Sequence, residues 1–203
     1  MPGIDRMISS ALSSEIKKKL DLEILKKVER ELFLDQGMSI KLSIEHFDKF
    51  ERVLRNNSNL DAKKFKKECI KKIIKIKNNG DRYLITILDL ELKNLILELF
   101  GEIESRKIIS CLLENKYTIP QILEESNIPK TSGYRKIENL IIYGIIIESG
   151  KILSESKKIS KLQCVLQEIK LDIKKGKIVI TGIISKNMFE KSSSMKCIAK
   201  LLE

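Results

Sequence analysis

The chain has 203 residues, of which 42% are hydrophobic, so it can bury a sizeable core as one large domain or two small ones. Its net charge of +11 and pI near 9.4 favour a polyanionic partner, although a sequence rich in Lys, Ile and Asn carries part of that charge for compositional reasons. The four cysteines are scattered and there is a single histidine, which argues against a disulfide framework and a metal cluster. No apolar run reaches the roughly 18 residues of a membrane span, so the sequence predicts a cytoplasmic protein.

The N-terminal part of the sequence predicts amphipathic helices. Apolar residues recur every fourth position from Ile16 to Leu32, which predicts one helix over residues 10–35 that Gly37 ends. Ser39 is expected to cap a second helix, because a serine side chain accepts a hydrogen bond from the amides of the first helical turn. The apolar side of this second helix contains Ile40, Ile44, Phe47, Phe50 and Leu54.

A third helix, a strand and a fourth helix are expected before residue 102. Asp61 caps the third helix, and the turn-forming residues 78–80 are expected to end it. Residues 82–87 have the β-branched and aromatic composition of a strand. Asp89 then caps a helix that Gly101 ends or kinks.

Lysines occupy one side of the third predicted helix. They are Lys63, Lys64, Lys66, Lys67, Lys71, Lys72, Lys75 and Lys77. Such a side can bind the phosphates of a nucleic acid such as RNA. On that side of the helix no arginine or aromatic residue alternates with the lysines to contact or stack on bases, which favours a solvated helix face instead.

A cap and a proline define the next helix. Thr118-Ile119-Pro120-Gln121 fits a capping box, in which Thr118 accepts from a first-turn amide and Gln121 accepts from the Thr118 amide. Proline is tolerated there because first-turn N–H groups have no partner within the helix. Pro129 is expected to end this helix, since the residue before a proline is driven out of the α region.

A second helix follows over residues 131–143, with Thr131 the preferred N-cap and Lys130 the alternative. Its apolar positions have helical spacing, and it ends at Gly144. Residues 145–147 predict a buried strand that turns back at Gly150 and Lys151. This order of helix, tight turn, helix and hairpin is typical of a helix-turn-helix with a wing, which holds its second helix against the DNA major groove.

The same stretch carries a resemblance to a known family. The run Ile128-Pro129-Lys130-Thr131-Ser132-Gly133-Tyr134-Arg135-Lys136-Ile137, followed by Leu140 and Gly144-Ile145-Ile146, resembles archaeal winged-helix regulators of the ArsR-like class. Ser132 stands where the family pattern has Thr, and Arg135 stands at its Arg. The match covers about residues 102–156. It implies an archaeal DNA-binding transcription regulator; the metal-sensing members need clusters of Cys, His and carboxylates, which this sequence lacks.

Gly133 departs from the family pattern, which more often has a small apolar residue there. A glycine inside a helix costs about 1 kcal/mol against alanine. We therefore expect a close approach of the backbone at this position, either to DNA or to the preceding helix.

The candidate DNA-contacting residues lie on the polar side of the second helix and on the expected wing. They are Lys130, Thr131, Ser132, Tyr134, Arg135, Lys136 and Lys151. The first turns of such a helix reach base edges, and an arginine such as Arg135 binds guanine through two hydrogen bonds. Two alternatives are open: Arg135 forms an ion pair with Glu125 or Glu138, and Tyr134 packs on the preceding helix.

A second, looser resemblance covers about residues 18–80. The apolar pattern there is similar to the small helical output domain found ahead of winged helices in ammonia-oxidising archaea, and it implies no ligand. The stretch includes His46. A lone histidine on a helix flank is more often a surface or partly buried side chain than a ligand.

Residues 164–173 and 178–184 predict a β-hairpin around the turn 174–177. Because an isolated hairpin is marginal in water, we expect it to join the wing sheet or to pair with a second subunit. Residues 185–203 predict a weakly structured tail or a short final helix. The expected fold is mainly α (α+β): a helical domain over 1–100, a winged helix-turn-helix over 101–156, and a hairpin extension with a tail over 157–203.

The sequence thus predicts a transcription regulator that binds double-stranded DNA as a homodimer, with no metal and no cofactor. Two alternatives stay open: a winged-helix module that binds proteins of the transcription machinery, and an RNA-binding module. An enzyme is not expected, because one histidine, no glycine-rich phosphate loop and no nucleophile motif leave little for catalysis.

Overall fold

A computed structural model describes residues 3–154 and 157–199. The N-terminal region is helical. Its helices are α1 (Gly3–Lys19), α2 (Leu22–Gln36), α3 (Ile40–Ser43), α4 (Phe47–Asn57) and α5 (Ala62–Ile73), with a 3-10 turn (Ile44–His46) before α4.

The single helix predicted over residues 10–35 is wrong, because the chain breaks between α1 and α2. Asp21 has φ −56° and ψ 145°, outside the helical region, and its carboxylate accepts a hydrogen bond from the Glu23 amide at 2.8 Å. A new helix therefore begins at Leu22. Gly37, at φ 61°, ends α2 as predicted.

The second predicted helix is also interrupted. Ser39 caps α3, with its Oγ accepting from the Leu42 amide at 3.2 Å, as predicted. His46 then adopts φ −131° and ψ 56°, which separates the 3-10 turn from α4. The predicted apolar positions are buried all the same, because the break keeps both pieces packed on the core.

A four-stranded antiparallel sheet joins distant parts of the sequence. Its strands are β1 (Ile74–Asn79), β2 (Arg82–Ile87), β5 (Glu168–Lys174) and β6 (Lys177–Ser185), in the spatial order β1-β2-β6-β5. Residues 78–80 do not end α5, which stops at Ile73; Asn78 and Asn79 are the last residues of β1, and Gly80, at φ 70°, lies in the turn to β2.

The C-terminal hairpin β5–β6 forms as predicted. It does not join the hairpin that begins after residue 145, which was one of the two expected partners. β6 pairs instead with β2, with Ile184 opposite Tyr83 and Ile180 opposite Ile87. This register places the buried side chains of both strands on one face. Burial of that shared apolar face selects the pairing.

The middle of the chain adds helices and a second hairpin. These elements are α6 (Leu90–Gly101), α7 (Ile103–Leu112), α8 (Ile119–Ser126), α9 (Lys130–Ile142), β3 (Ile146–Ser154) and β4 (Lys157–Cys164). Asp89 caps α6 through the Leu92 amide at 2.8 Å, as predicted. β3 and β4 pair antiparallel, and Tyr117, between α7 and α8, bridges to Leu162 of β4.

The turn predicted at Gly150 and Lys151 is wrong. β3 continues through both residues to Ser154, and Lys151 lies opposite Ser160 of β4. The register of this ladder shifts between Glu148 and Gly150, so the glycine lies at a β-bulge and not in a turn. Lys151 therefore lies within the strand, away from the end of the hairpin.

The C-terminal tail is ordered against α1. It contains α10 (Lys186–Glu190) and α11 (Lys196–Ala199), and Ser192 and Ser194 between them are buried. Phe189 of α10 stacks on Tyr83 of β2, with ring centroids 4.1 Å apart. Buried residues from Ile4 to Ile198 form one hydrophobic cluster, so the tail is part of the core. Of the described residues, no helix is long and apolar enough to cross a bilayer.

Candidate nucleic-acid interface

The start of α8 is held by its own side chains. The Thr118 amide donates to Gln121 Oε1 at 3.0 Å, and the predicted capping box is complete. Thr118 is buried, and Pro120 lies in the first turn, where no N–H partner is lost. The cap and the proline together set where the helix begins.

A three-residue turn joins α8 to α9. Asn127 takes the left-handed conformation at φ 50° and ψ 54°, and the Ile128 amide donates to the Leu123 carbonyl at 3.1 Å. Ile128 is buried, which anchors the turn. Pro129 follows at φ −58° and ψ 140°, and its carbonyl accepts from the Gly133 amide at 2.9 Å.

The prediction that Thr131 caps α9 is wrong. Because the Pro129 carbonyl already accepts the first helical hydrogen bond, α9 begins at Lys130 and Pro129 is its N-cap residue. Thr131 is consequently inside the first turn, with an exposed side chain.

Gly133 lets α9 pack directly on α8. A Cβ at this position would overlap Leu123 Cδ2 and would lie 3.3 Å from Ile128 Cγ2. Of the two approaches expected at Gly133, the structure has the one to the preceding helix. The glycine therefore allows α9 to lie closer to Leu123 and Ile128 than a larger residue would without a shift of those side chains.

Three sides of α9 have different surroundings. Gly133, Ile137 and Leu140 are buried against the core. The opposite side exposes Lys130, Thr131, Tyr134, Arg135 and Glu138. Tyr134 is 49% exposed. No N-terminal helix therefore covers the first turns of α9.

Ser132 and Lys136 point sideways, toward α7. Ser132 Oγ donates to Glu104 Oε1 at 3.2 Å, and Lys136 Nζ forms an ion pair with Glu102. The Lys136 side chain is only 16% exposed. These two predicted site residues are therefore held by carboxylates of the same chain and lie apart from the exposed group.

The alternative roles expected for Arg135 and Tyr134, an ion pair and packing on the preceding helix, have different outcomes. Among the ion pairs of the described residues, none joins Arg135 to Glu125 or Glu138. Tyr134 lines a shallow groove of about 290 Å³ with Ile119 and Pro120 of α8 and with residues of β4. Part of its ring therefore borders the preceding helix, and half of it faces solvent.

Further lysines lie on the β3–β4 hairpin. The Lys151 side chain is exposed, with Nζ 3.8 Å from Glu148 Oε1. Lys158 of β4 is exposed and Lys161 is half-buried. The sequence analysis missed these two β4 lysines, because it expected the strand to turn back at residues 150 and 151, whereas β3 continues to Ser154.

Charge around α9 is uneven. A cavity of about 280 Å³ on the α6 and α7 side is lined by Glu98 and Glu102 together with Lys136, Asn139 and Tyr143. Glu104 lies on the same side. These carboxylates would repel a polyanion on that side, whereas Lys130 and Arg135 of α9 and Lys158 of the hairpin are exposed elsewhere.

The lysine-rich side of α5 is largely a solvated face, with Lys63, Lys64, Lys71 and Lys72 exposed. Lys66 is the exception, because it is 2% exposed. Its Nζ lies 2.7 Å from Glu51 Oε1 and 4.4 Å above the Phe47 ring. That lysine joins α5 to α4 and is not available to a ligand.

Cys69, Cys111, Cys164 and His46 form no reactive centre. Burial raises the pKa of Cys69 and Cys164 to about 12 and that of Cys111 to about 11, so these thiols stay protonated at neutral pH. His46 is exposed. In the part of the chain that the structure describes, no three His, Cys, Asp or Glu side chains group as metal ligands would.

Comparisons with protein-family models, with curated proteins and with solved structures found no match to this chain.

Proposed function

We propose that this protein is a sequence-specific, DNA-binding transcription regulator whose residues 102–164 act as a winged helix-turn-helix. The proposal is supported by the order α7, α8, short turn, α9 and β3–β4 hairpin, with Tyr117 adding a bridge to β4. In such a domain the second helix of the pair enters the major groove and the hairpin contacts the neighbouring backbone.

The observation that carries the proposal is the exposure of four side chains at the N-terminal end of α9, which packs on α8 at Gly133. They are Lys130, Thr131, Tyr134 and Arg135. These side chains supply donors and acceptors for base edges and phosphates. The positive end of the α9 dipole lies at the same place, where it favours phosphate. Arg135 would contact a base, and Lys130, Lys151 and Lys158 would contact backbone.

The experiment selects duplex sites from a random DNA pool with the full chain and then measures affinity for the selected site. We expect Arg135→Ala to weaken binding by about 10- to 100-fold and to relax specificity at one position, as for loss of a bidentate base contact. Lys151→Ala should weaken all sequences alike and reduce the salt slope by about one.

The matched control is Lys72→Ala, which removes one positive charge from the exposed side of α5. It should leave affinity for the selected site within about two-fold, since Lys72 belongs to α5, outside the proposed winged helix-turn-helix, and salt screens exposed charges. Equal losses for Arg135→Ala and Lys72→Ala would mean that net charge alone drives binding. Failure to enrich any sequence would refute the proposal.

One observation favours a second candidate, a winged-helix module that binds another protein. Leu153, near the end of the β3–β4 hairpin, is 74% exposed, and Ile152 beside it is partly exposed. Exposed aliphatic side chains at a hairpin end suit a protein surface better than a phosphate backbone. Leu153→Ser should leave affinity for the selected duplex unchanged under the first proposal. An RNA-binding module would show instead as higher affinity for RNA than for duplex DNA.

A further inference from the structure

β5 forms one edge of the four-stranded sheet. It pairs with β6 along its whole length with no register shift, and it is the last strand on that side. A regular edge strand offers a row of backbone donors and acceptors to another strand, and proteins usually protect such edges with lysines, prolines or bulges. β5 has neither a proline nor a bulge.

The turn after β5 determines which backbone groups face outward. Lys175 and Gly176 have φ of 49° and 73°, as in a type I′ turn, so residues 174 and 177 form the hydrogen-bonded pair that closes the hairpin. Hydrogen-bonded and non-hydrogen-bonded pairs alternate along an antiparallel ladder. Ile169, Leu171 and Ile173 therefore direct their N–H and C=O groups away from β6.

The side chains of β5 alternate as well. Leu171 is 42% and Ile173 78% exposed, although both lie on the face that is buried elsewhere in the sheet. The other face carries Glu168, Lys170 and Asp172, which alternate in charge, and Lys170 Nζ lies 2.8 Å from Glu168 Oε1. The strand thus has an apolar side that packs on the core at Ile169 and is exposed at Leu171 and Ile173, and a charged side with alternating signs.

We propose that β5 pairs antiparallel with β5 of a second copy of this chain, with the two-fold axis at Leu171. In this register Ile169 lies opposite Ile173 of the second copy, and Leu171 lies opposite itself. Each outward-facing residue then exchanges both of its backbone hydrogen bonds. The two sheets become one continuous sheet.

Charge complementarity selects this register. It places Lys170 opposite Asp172 of the second copy, and symmetry repeats the pair. Opposite charges facing each other across an antiparallel pair stabilise it, and like charges destabilise it.

The other edge of the sheet is unsuited to self-pairing. β1 carries Lys75 and Lys77 on either side of Ile76, and both are exposed. Pairing of two β1 strands about Ile76 would set Lys75 against Lys77 of the second copy. Lysines at an edge prevent association in this way. The chain therefore has one edge that repels a second copy and one that fits it.

A strand-to-strand interface is small, so we expect a reversible dimer with a dissociation constant on the order of micromolar. The dimer supplies an interface for the homodimer that the sequence predicts for a DNA-binding regulator. It is measured in the absence of DNA, so the two proposals can fail separately.

The test uses two charge reversals in the full chain, Lys170→Asp and Asp172→Lys. Each variant alone would face like charges across the axis, so its dimer should weaken by at least about 10-fold. An equimolar mixture of the two variants restores opposite charges in the heterodimer, and it should associate as strongly as the wild type. The double variant should regain the homodimer. Sedimentation velocity with one labelled variant measures all of these.

Lys75→Asp on β1 is the control and should leave the dimer unchanged, and circular dichroism melting checks that every variant is folded. The proposal would be overturned if the wild type stayed monomeric at protein concentrations up to about 100-fold above the expected dissociation constant. So would a mixture that associates no better than the single variants. Unfolding of the variants cannot mimic the expected result, because two unfolded chains would not restore each other.

Discussion

At the scale of single residues, two glycines decide how α9 is held. Gly133 permits its contact with Leu123 of α8, and Gly144 ends the helix at φ 71° against α1. A Cβ on Gly144 would lie 2.5 Å from the Met7 amide nitrogen and 2.8 Å from the Arg6 carbonyl carbon. Those atoms are backbone of a buried helix, so they cannot move aside as a flexible side chain does.

We predict that Gly144→Ala destabilises the protein by about 3 kcal/mol, because the left-handed backbone strain of alanine adds to the overlap with α1. Gly176→Ala is the control: its φ is 73°, but nothing lies within 4 Å of the added Cβ. It should cost only about 1 kcal/mol. Urea unfolding followed by circular dichroism compares the two, and similar losses would show that the packing on α1 is unimportant.

At the scale of elements, local signals located four of the helix starts. Asp61, Asp89, Ser39 and Thr118 each stand where the sequence predicts a cap, since a cap depends only on the next three residues. The break at Asp21 escaped the apolar pattern, because Ile16, Leu20, Val28 and Leu32 keep a four-residue spacing across two helices and are all buried. Apolar periodicity shows which residues face a core, but it does not show that those residues belong to one continuous helix.

The Asp21 cap gives a prediction for α2. Asp21→Ala removes the hydrogen bond to the Glu23 amide and should destabilise the protein by about 1 kcal/mol. Asp35→Ala is the matched control, because Asp35 is exposed in the last turn of α2, where a negative charge opposes the helix dipole. It should be neutral or stabilise by up to about 0.5 kcal/mol. Thermal unfolding gives both signs, and destabilisation by Asp35→Ala alone would contradict this account.

The hairpin after α9 shows how one misread turn displaces a site residue. Gly150 and Lys151 have the composition of a turn, and the ladder nevertheless continues through them, with Ile152 opposite Ile159. Pairing with β4 overrides the local preference, since each additional ladder pair satisfies backbone groups that a turn would leave to water. The basic surface of the hairpin therefore extends to Lys158, beyond the residue that the sequence predicts.

At the scale of the whole molecule, the C-terminal segment closes the fold on α1. The Asp5 carboxylate is fully buried and accepts from the Ser193 amide at 2.8 Å, the Ser194 amide at 3.0 Å and the hydroxyls of Ser192, Ser193 and Ser194. Ser193 Oγ also accepts from the Phe47 amide at 3.2 Å. A buried charge is tolerable when its oxygens are satisfied in this manner.

We predict that Asp5→Ala destabilises the protein by about 3 kcal/mol, because it leaves buried donors without an acceptor. The segment from α10 to α11 should also become the first site of limited proteolysis, since its attachment to α1 is lost. Asp35→Ala again serves as the exposed control. Limited proteolysis mapped by mass spectrometry identifies the first cleavage site. If Asp5→Ala is cut first outside the α10–α11 segment, Asp5 does not hold that segment on α1.

The predicted segment boundaries at residues 100 and 156 stay predictions, but the sheet crosses both. β2 and β6 pair although Ile87 and Ile180 lie far apart in sequence, and β4 pairs with β3 across residue 156. The exposed α9 surface and the β5 edge lie on different elements of one core, so the two proposals place nucleic acid and a second copy on separate surfaces.

The sequence by itself determined several features that depend on neighbours within a turn of chain: the caps at Ser39, Asp61, Asp89 and Thr118, the glycine ends of α2 and α9, the turn between α8 and α9, and the β5–β6 hairpin. Only the tertiary structure decided that β6 joins β2, that Lys66 is buried beside Glu51, and that Asp5 holds the serines of the tail. The reason is physical. A cap or a turn is stabilised by local hydrogen bonds, whereas the partner of a strand or a buried charge is selected by which apolar faces and polar groups can be satisfied together across the whole core.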